Sequence, residues 1–163
     1  MGCWHPVVLG RASVEALGKR SASVSHDRRR QLRDAVITLV EGGPIPAYEL
    51  LLEGPGHVAG LGPAFFTKFL YFVGYDQSSS GQLRPLILDR YVARGLNKLR
   101  GTSWSDAGWR PSTYADYLWW ARSEAQGDSV VTTEDEAEYK IWHHGRDKCA
   151  NADVRGGGAV GAG

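Results

Sequence analysis

The sequence predicts an all-α fold, a compact domain of five or six helices joined by loops. Apolar residues recur at helical spacing in several segments, and no segment alternates apolar and polar residues as a half-buried strand does. Gly and Pro separate the apolar segments, which is typical of short connections between helices. The chain has 163 residues, about the length of one domain, which is enough to bury a core.

The first helix is predicted over residues 26–41. Four apolar residues recur there at helical spacing: Leu32, Val36, Leu39 and Val40. Ser25 is a suitable N-cap, and Gly42-Gly43-Pro44 ends the helix. Residues 1–24 lack a clear period, so we expect a flexible or weakly ordered N-terminal arm there, with a short helix around residues 14–17 at most.

Two short helices follow on either side of a glycine turn. Residues 46–53 form the first helix, which contains three consecutive leucines, and residues 64–73 form the second. The turn between them contains Gly60-Leu61-Gly62. Residues 74–85 are expected to form a polar loop that leads into an extended segment.

The C-terminal half contains three more predicted helices, over residues 89–99, over residues 113–125 and from Thr133 onward. Thr133 with Glu136 three residues later is a capping box, in which side chains bond the first free backbone N–H groups of a helix. A loop with two tryptophans connects the first two of these helices.

The composition limits what the two ends of the chain can do. The glycine-rich end predicts a disordered tail over residues 149–163 and leaves residues 25–148 as the folded domain. Cys3 and Cys149 lie near opposite ends, which excludes a four-thiolate zinc site, an iron–sulfur cluster and a disulfide framework. No apolar run approaches the roughly 20 residues that span a bilayer. We therefore expect a cytoplasmic, nucleoid-associated protein without membrane contact. We also expect a monomer.

The net charge of +1 hides an uneven distribution of charges. Seven of the 19 basic residues fall between residues 11 and 33, a second basic stretch covers residues 84–100, and acids concentrate at 134–138. A one-sided basic surface is enough to bind DNA, because phosphate contacts dominate the affinity. Arg28–Arg30 stand at a predicted helix start, where cations oppose the helix dipole, which favours either a solvated helix end or an external anion.

Gly60-Leu61-Gly62 is the first candidate binding motif. A G-x-G turn in front of a helix exposes backbone N–H groups, and glycine lets an anion approach them closely. Such a turn can equally serve only to reverse the chain. The motif therefore has two interpretations, a phosphate clamp and a simple turn.

The residues around this turn resemble a known family. Residues 60–72 read GLGPAFFTKFLYF, and residues 88–94 read LDRYVAR. Both runs resemble motifs of the helix–hairpin–helix DNA glycosylase superfamily, and most closely those of bacterial proteins with the 8-oxoguanine DNA glycosylase (OGG) fold. The resemblance extends over residues 44–146 and includes the segment Glu138–Trp142.

The resemblance implies a helix–hairpin–helix motif that grips the DNA backbone at Gly60 and Gly62. It also implies that Lys68 is a nucleophile toward the deoxyribose C1′ and that Asp89 stabilises the positive charge that builds on the sugar. This chemistry requires no cofactor, and an alkali ion at the hairpin is implied by the resemblance alone.

Several features depart from the family pattern. Lys68 follows the second hairpin glycine by six residues where better-known members have two, a shift of about one helical turn. Tyr91 stands where His is expected, and the cluster-binding cysteines of some members are absent. The chain is also short, so part of the usual wall of the base pocket is unaccounted for.

The candidate residues also have structural interpretations. Asp89 is a favoured helix cap, Lys68 on an apolar helix can extend its amine to solvent, and Thr67 beside it can be purely structural. Trp104 and Trp109 are candidates for the base pocket or for a wedge that opens the DNA. The candidate DNA contacts are Gly60, Gly62, Thr67, Arg90, Arg94 and His57.

These observations predict a DNA glycosylase that flips a modified base out of double-stranded DNA and excises it. The base is either 8-oxoguanine, in repair, or a bulky modified base of phage DNA, in antiviral defence. A lyase activity at the abasic site accompanies the reaction if Lys68 forms a Schiff base. The alternative is a non-catalytic DNA-binding module that keeps the hairpin without the chemistry.

Overall fold

The computed structural model describes residues 11–76, 82–127 and 130–150. These residues form six α-helices and no strand, which confirms the predicted all-α class. The helices are α1 (Arg11–Gly42), α2 (Pro44–Leu52), α3 (Pro63–Gly74), α4 (Arg90–Arg100), α5 (Pro111–Gly127) and α6 (Glu134–Ala150). The start of the predicted arm, residues 1–10, and the predicted tail beyond residue 150 lie outside the described residues. No helix in the described ranges has the combined length and apolar character that a bilayer crossing requires.

The first helix begins earlier than the sequence predicts. Helix α1 starts at Arg11 rather than at residue 26, so the helix includes residues 11–24 of the predicted N-terminal arm. Ser25 lies within α1 and is not its cap, and Arg28–Arg30 do not stand at a helix start. The dipole argument for these arginines therefore fails. A helix whose sequence lacks an apolar stripe leaves no periodic pattern to detect.

Local signals set two helix boundaries as predicted. The chain leaves α1 through Gly43, whose φ of 86° lies in the left-handed region that glycine adopts at low cost. Before α6, the Glu136 N–H donates to Thr133 Oγ1 at 3.2 Å, and the Thr133 N–H donates to Glu136 Oε2 at 3.1 Å. The capping box is therefore formed as the sequence predicts.

Tyrosines tie the loops to the centre of the core. The Tyr48 hydroxyl of α2 donates to the Trp109 carbonyl oxygen at 2.7 Å, and the Tyr48 ring stacks on Tyr114 with centroids 4.4 Å apart. The Tyr114 hydroxyl of α5 donates to the Leu86 carbonyl oxygen at 3.0 Å. These bonds satisfy buried carbonyl groups that lie outside the helices, and they fix the segment before α4 against the core.

Helices α4 and α6 cross at two glycines. A Cβ atom on Gly95 would overlap the carbonyl oxygen of Ile141, and a Cβ atom on Gly145 would overlap that of Tyr91. Only a hydrogen fits at either position, so the two backbones approach closely. This crossing sets the distance between α6 and the start of α4.

Candidate active site between α3, α4 and α6

A cavity of about 440 Å³ lies where α3, the start of α4 and α6 meet. Its lining residues are Lys68, Tyr71, Ile87, Asp89, Asp135, Glu138, Tyr139 and Trp142. The volume falls in the usual range for sites that take a small ligand. Lys68 and Asp89, the two residues predicted to be catalytic, share this cavity although they belong to different elements.

Lys68 reaches the cavity from α3 and is half-buried. Its Nζ lies 5.8 Å from the centroid of the Phe65 ring, within range of a cation–π contact. Within the described part of the chain, no carboxylate forms an ion pair with Lys68. The amine therefore contacts an aromatic ring and forms no ion pair with a described carboxylate.

Asp89 is the N-cap of α4. Its Oδ1 accepts hydrogen bonds from the backbone N–H groups of Tyr91 at 2.8 Å and Val92 at 3.0 Å. The other carboxylate oxygen, Oδ2, takes no part in these two bonds. One oxygen thus fixes the side chain while the other is left for the cavity, so the capping and catalytic interpretations of Asp89 are compatible.

Thr67 is fully buried, so it cannot make the DNA contact predicted from the sequence. Its hydroxyl donates to the Pro63 carbonyl oxygen at 2.8 Å and accepts from the Leu88 N–H at 3.2 Å. These bonds join α3 to the segment before α4. Because Lys68 follows Thr67 and Asp89 follows Leu88, the hydroxyl holds the two candidate catalytic residues in register.

Glu138 of α6 is a partly buried carboxyl group that lines the cavity. Its Oε2 accepts a hydrogen bond from the Ile87 N–H at 3.0 Å. Burial raises the pKa of Glu138 to about 8, and the negative charges of Asp135 and Asp89 act in the same direction, whereas the Ile87 bond opposes them. At pH 7 the protonated form of Glu138 therefore predominates.

Asp135 and Tyr71 complete the polar lining. Asp135 Oδ2 pairs with Arg84 Nη1 at 2.9 Å, while its Oδ1 is sealed from solvent and accepts no hydrogen bond from the described residues. Burial, together with the neighbouring Asp135 carboxylate, raises the pKa of Tyr71 to about 12. Tyr71 therefore keeps its hydroxyl proton at physiological pH.

Tyr139 and Trp142 form an aromatic wall on α6. Their ring centroids lie 6.2 Å apart with 28° between the planes, and Tyr91 meets Trp142 edge-on at 6.4 Å. The Tyr139 side chain is 65% exposed. A planar ligand in the cavity therefore has an exposed aromatic face to stack on.

The glycine turn stands open in front of α3. Gly60 has a left-handed φ of 84°, and a Cβ atom on Gly60 or Gly62 would meet no atom within 4 Å. The Phe65 and Phe66 N–H groups donate to the Gly62 carbonyl oxygen. In the described part of the chain, the N–H groups of Gly60, Gly62 and Ala64 form no hydrogen bond. Unsatisfied donors at a helix N-terminus attract anions.

His57 and α1 lie beside this turn. The Gln31 side chain of α1 donates to the His57 carbonyl oxygen at 2.9 Å, and His57 Nδ1 lies 3.1 Å from the Leu52 carbonyl oxygen. Arg28 is exposed and stands one turn before Gln31 on the same face of α1. The fold therefore brings a cation of the N-terminal basic stretch to the side of the open turn.

Arg90 and Arg94 occupy different surroundings on α4. Arg90 is exposed beside Asp89, and its guanidinium carbon lies 5.6 Å from the Tyr91 ring centroid. Arg94 binds the Asp106 carboxylate through both Nε and Nη2, and this hydrogen-bonded pair lowers the pKa of Asp106. Arg94 therefore anchors the loop after α4, whereas Arg90 presents its charge at the end of α4 that borders the cavity.

The two loop tryptophans lie away from this cavity. Trp109 is 3% exposed, packs in the core and donates from Nε1 to the Ser105 carbonyl oxygen at 2.9 Å. Trp104 lines a second cavity of about 400 Å³ with Trp119 and Trp120. Neither Trp104 nor Trp109 lines the cavity that contains the candidate catalytic pair.

Sequence patterns did not single out Glu138 as a functional residue. Two signals were available, because Glu138 belongs to the segment Glu138–Trp142 that resembles the family, and it lies between Ala137 and Ile141, which mark the inward face of α6. A carboxyl group near an inward face needs a partner or a raised pKa, and either makes it a candidate site residue. Its neighbours Ile87 and Asp89 could not be known from the sequence.

Residues 3–142 match the family described as "Putative 8-oxoguanine DNA glycosylase OGG-like protein". The matched range includes the Gly60–Gly62 turn and every residue that lines the cavity of Lys68 and Asp89. Comparison with curated proteins and with solved structures gives no match to the chain.

Proposed function

Because the chain belongs to the OGG-like family, we propose that it is a DNA glycosylase that cleaves the bond between a modified base and its deoxyribose. The observation that carries the proposal is the convergence of Lys68 and Asp89 on one cavity. A neighbouring amine and carboxylate are the groups that this reaction needs, and the cavity has room for a ligand beside them. The product is an abasic site.

In this proposal Lys68 is the nucleophile. Its neutral amine gives an electron pair to the deoxyribose C1′ while the base departs with the electrons of the glycosidic bond. The absence of an ion pair to a described carboxylate supports this role, because no fixed negative charge holds the amine in its protonated form. The covalent sugar adduct can open to a Schiff base, which gives the enzyme an abasic-site lyase activity.

Asp89 stabilises the positive charge that develops on the sugar. The helix cap holds the carboxylate through Oδ1, so Oδ2 is preorganised for the reaction without further reordering. Thr67 supports both residues through its bonds to Pro63 and Leu88. It is a positioning residue in this mechanism and not a DNA contact.

The flipped base stacks on Tyr139 and Trp142. These rings line the reactive cavity, whereas Trp104 and Trp109 do not, so the base-pocket role expected for the two loop tryptophans moves to α6. A flipped base is normally held by stacking and by hydrogen bonds to its edge. Tyr71 and Glu138 line the same cavity and supply hydroxyl and carboxyl groups for that edge.

The Gly60–Gly62 turn and α3 clamp the DNA backbone as a helix–hairpin–helix motif. The open N–H groups at the start of α3 suit a phosphate, and no side chain blocks the approach at either glycine. Arg28, His57 and Arg90 extend this surface with exposed side chains. Because phosphate contacts dominate the affinity, this surface binds DNA of any sequence.

Base excision from duplexes with different modified bases tests the proposal. The panel includes 8-oxoguanine and bulky modified bases, and heat or alkali cleavage reveals abasic sites. Asp89→Asn should slow single-turnover excision about 100- to 1000-fold while it keeps the helix cap, because Asn caps as well as Asp. Asp116→Asn, an exposed substitution on α5, is the matched control and should leave the rate unchanged.

Borohydride reduction tests Lys68 separately. The wild-type protein and Lys98→Ala should be trapped covalently on a cleavable duplex, whereas Lys68→Ala should not. A protein that binds duplex DNA but excises no base from any member of the panel is the non-catalytic module instead. The choice between 8-oxoguanine and a bulky base follows from the member of the panel that is cleaved fastest.

A further inference from the structure

We propose that Glu138 is the general acid of this site and gives a proton to the departing base. The inference rests on the glycosylase function proposed above. In that mechanism Lys68 gives an electron pair to C1′ and Asp89 acts as an anion, so the departing base still lacks a proton donor. Glu138 is a further carboxyl group that lines the same cavity.

Hydrogen bonding fixes which oxygen of Glu138 carries the proton. Oε2 accepts from the Ile87 N–H at 3.0 Å, and the carbonyl oxygen of a neutral carboxyl group is its better acceptor. The proton therefore resides on Oε1. Within the described residues Oε1 has no hydrogen-bond partner and is not sealed from solvent. Because Glu138 lines the cavity, this O–H group is open to a base that enters it.

The surroundings of Glu138 keep it protonated until a base arrives. Burial and the carboxylates of Asp135 and Asp89 raise the pKa of Glu138 to about 8, close to the pH at which a general acid works best. The charged groups that raise it are Asp89 before α4 and Asp135 of α6. Tyr71 of α3 and Tyr114 and Tyr117 of α5 lie near enough for the Glu138 charge to raise their own pKa values, and Lys68 of α3 lines the same cavity.

Proton transfer from Glu138 accompanies cleavage of the glycosidic bond. The bond between C1′ and the base nitrogen breaks, and its electron pair stays with the base. The Lys68 amine forms the new bond to C1′ with its own electron pair. The proton of Glu138 Oε1 moves to an acceptor atom of the base, which leaves as a neutral molecule, and Glu138 becomes a carboxylate that regains its proton from solvent.

This donor restricts the class of substrate. The edge of the base that faces Glu138 must present a ring nitrogen or a carbonyl oxygen with a free lone pair. A base with an N–H group at that position would oppose two donors in a desolvated site, which is unfavourable. The expected substrates are therefore modified bases with an acceptor on this edge.

Glu138→Gln tests the proposal with little risk to the fold. The Gln amide keeps the length of the side chain and can still accept from Ile87, but it cannot transfer a proton. At pH 7 the single-turnover excision rate on the best duplex of the panel should fall about 100- to 10,000-fold, with duplex affinity unchanged. Glu49→Gln, exposed on α2, is the matched control and should retain the wild-type rate.

The pH profile and a direct titration complete the test. Above pH 8 the ratio of the wild-type rate to the residual rate of Glu138→Gln should fall about tenfold per pH unit, because any change in the neutral fraction of Lys68 is common to both proteins. In the free protein, the carboxyl ¹³C signal that Glu138→Gln removes should titrate near pH 8. Ionisation of that signal in the usual acidic range overturns the proposal whether or not any duplex is cleaved.

The outcomes distinguish a failure of the general-acid role of Glu138 from a failure of the glycosylase function. If Glu138→Gln excises at the wild-type rate, Glu138 is not the acid, while the glycosylase function stands. If the wild-type protein cleaves no duplex, the glycosylase function fails and the role of Glu138 fails with it. A wild-type protein that cleaves, a slow variant and a high titration together support the proposal.

Discussion

Two cavities of similar volume border α4, and they differ in chemistry. The cavity at its N-terminal end, about 440 Å³, is lined by an amine, three carboxyl groups and three aromatic rings. The cavity at its C-terminal end, about 400 Å³, is lined by three tryptophans with one arginine and one aspartate. Among the residues that line the second cavity, Trp104 was predicted from the sequence to be a candidate for the base pocket. Convergence of titratable groups marks the first as the candidate active site, because a reaction needs those groups and aromatic content alone does not supply them.

The hydrogen bonds that fix the residues around each cavity also differ. At the second one, Asn97 binds only nearby residues, with Oδ1 accepting from the Trp104 N–H at 2.8 Å and from the Thr102 hydroxyl at 2.7 Å. At the first, Thr67 and Glu138 bind residues far away in the chain. The first cavity therefore depends on how the helices pack, and substitutions at helix contacts should affect it most.

Gly95→Ala should have the largest effect, because it pushes α6 away from α4. The new Cβ would overlap the Ile141 carbonyl oxygen, and overpacking of this kind costs about 3 kcal/mol. Ala gains only about 1 kcal/mol over Gly in helix propensity, so the clash outweighs this gain and the substitution lowers the free energy of unfolding. We expect a Tm lower by several degrees and loss of excision, since Glu138 and Tyr139 leave the cavity.

Gly127→Ala is the matched control for that substitution. A Cβ atom at Gly127 meets nothing within 4 Å, so the Tm should be unchanged or slightly higher by calorimetry. Equal Tm values for Gly95→Ala and Gly127→Ala would show that the α4–α6 crossing is not tight. The dependence of the first cavity on this crossing would then be wrong.

Tyr139→Ala and Trp119→Ala compare the two cavities directly. Both side chains are exposed, 65% for Tyr139 and 57% for Trp119, so neither substitution should cost much stability. Loss of a stacked base costs about 1–3 kcal/mol. Tyr139→Ala should therefore weaken binding to duplexes with a cleavable base about 10- to 100-fold by fluorescence anisotropy, and Trp119→Ala should bind as the wild type does.

The reverse result would assign the base pocket to the second cavity, which contains Trp119. If Trp119→Ala weakens binding to the modified duplex and Tyr139→Ala does not, the flipped base occupies the tryptophan cavity. An unmodified duplex of the same sequence serves as the second control. Both variants should bind it as tightly as the wild type, because phosphate contacts carry that affinity.

Thr67→Val should have a smaller effect that falls on the first cavity only. Val keeps the shape of Thr but leaves the buried Leu88 N–H without its partner, at a cost of about 1–2 kcal/mol. Excision should slow, because Asp89 follows Leu88, while duplex affinity stays unchanged. Thr67→Ser keeps the hydroxyl and should retain most of the rate, whereas an equal loss in both variants would argue against the hydrogen bond as the cause.

The features that the sequence predicted correctly are local ones. The Thr133–Glu136 capping box and the glycine exit from α1 depend on residues within one helical turn, so their spacing is enough to find them. The start of α1 was missed because its first turns carry no apolar period. The Gly95 and Gly145 contacts were missed because a close approach between helices leaves no mark in either helix alone.

The candidate site also contains some residues that could be predicted from the sequence and others that could not. Lys68 and Asp89 lie in runs that resemble a family, so the sequence could single them out, but it could not establish that they share a cavity with α6. Glu138 and Tyr139 also lie in a segment that resembles the family, but only tertiary packing brings them into the cavity of Lys68 and Asp89. Trp104 and Trp109 were given the base-pocket role on residue type and loop position, and the fold directs them elsewhere.

Arg28→Ala should have the smallest effect and test the DNA surface rather than either cavity. Arg28 lies on the face of α1 that contacts the hairpin loop through Gln31, so its charge is expected to meet one phosphate. The slope of log affinity against log salt should fall by about 1 for any duplex, with the excision rate at saturating protein unchanged. Arg30→Ala, about 200° further round α1 and paired with Asp27 at 3.5 Å, is the matched control. Equal slopes for the two variants would place the DNA on another face of α1.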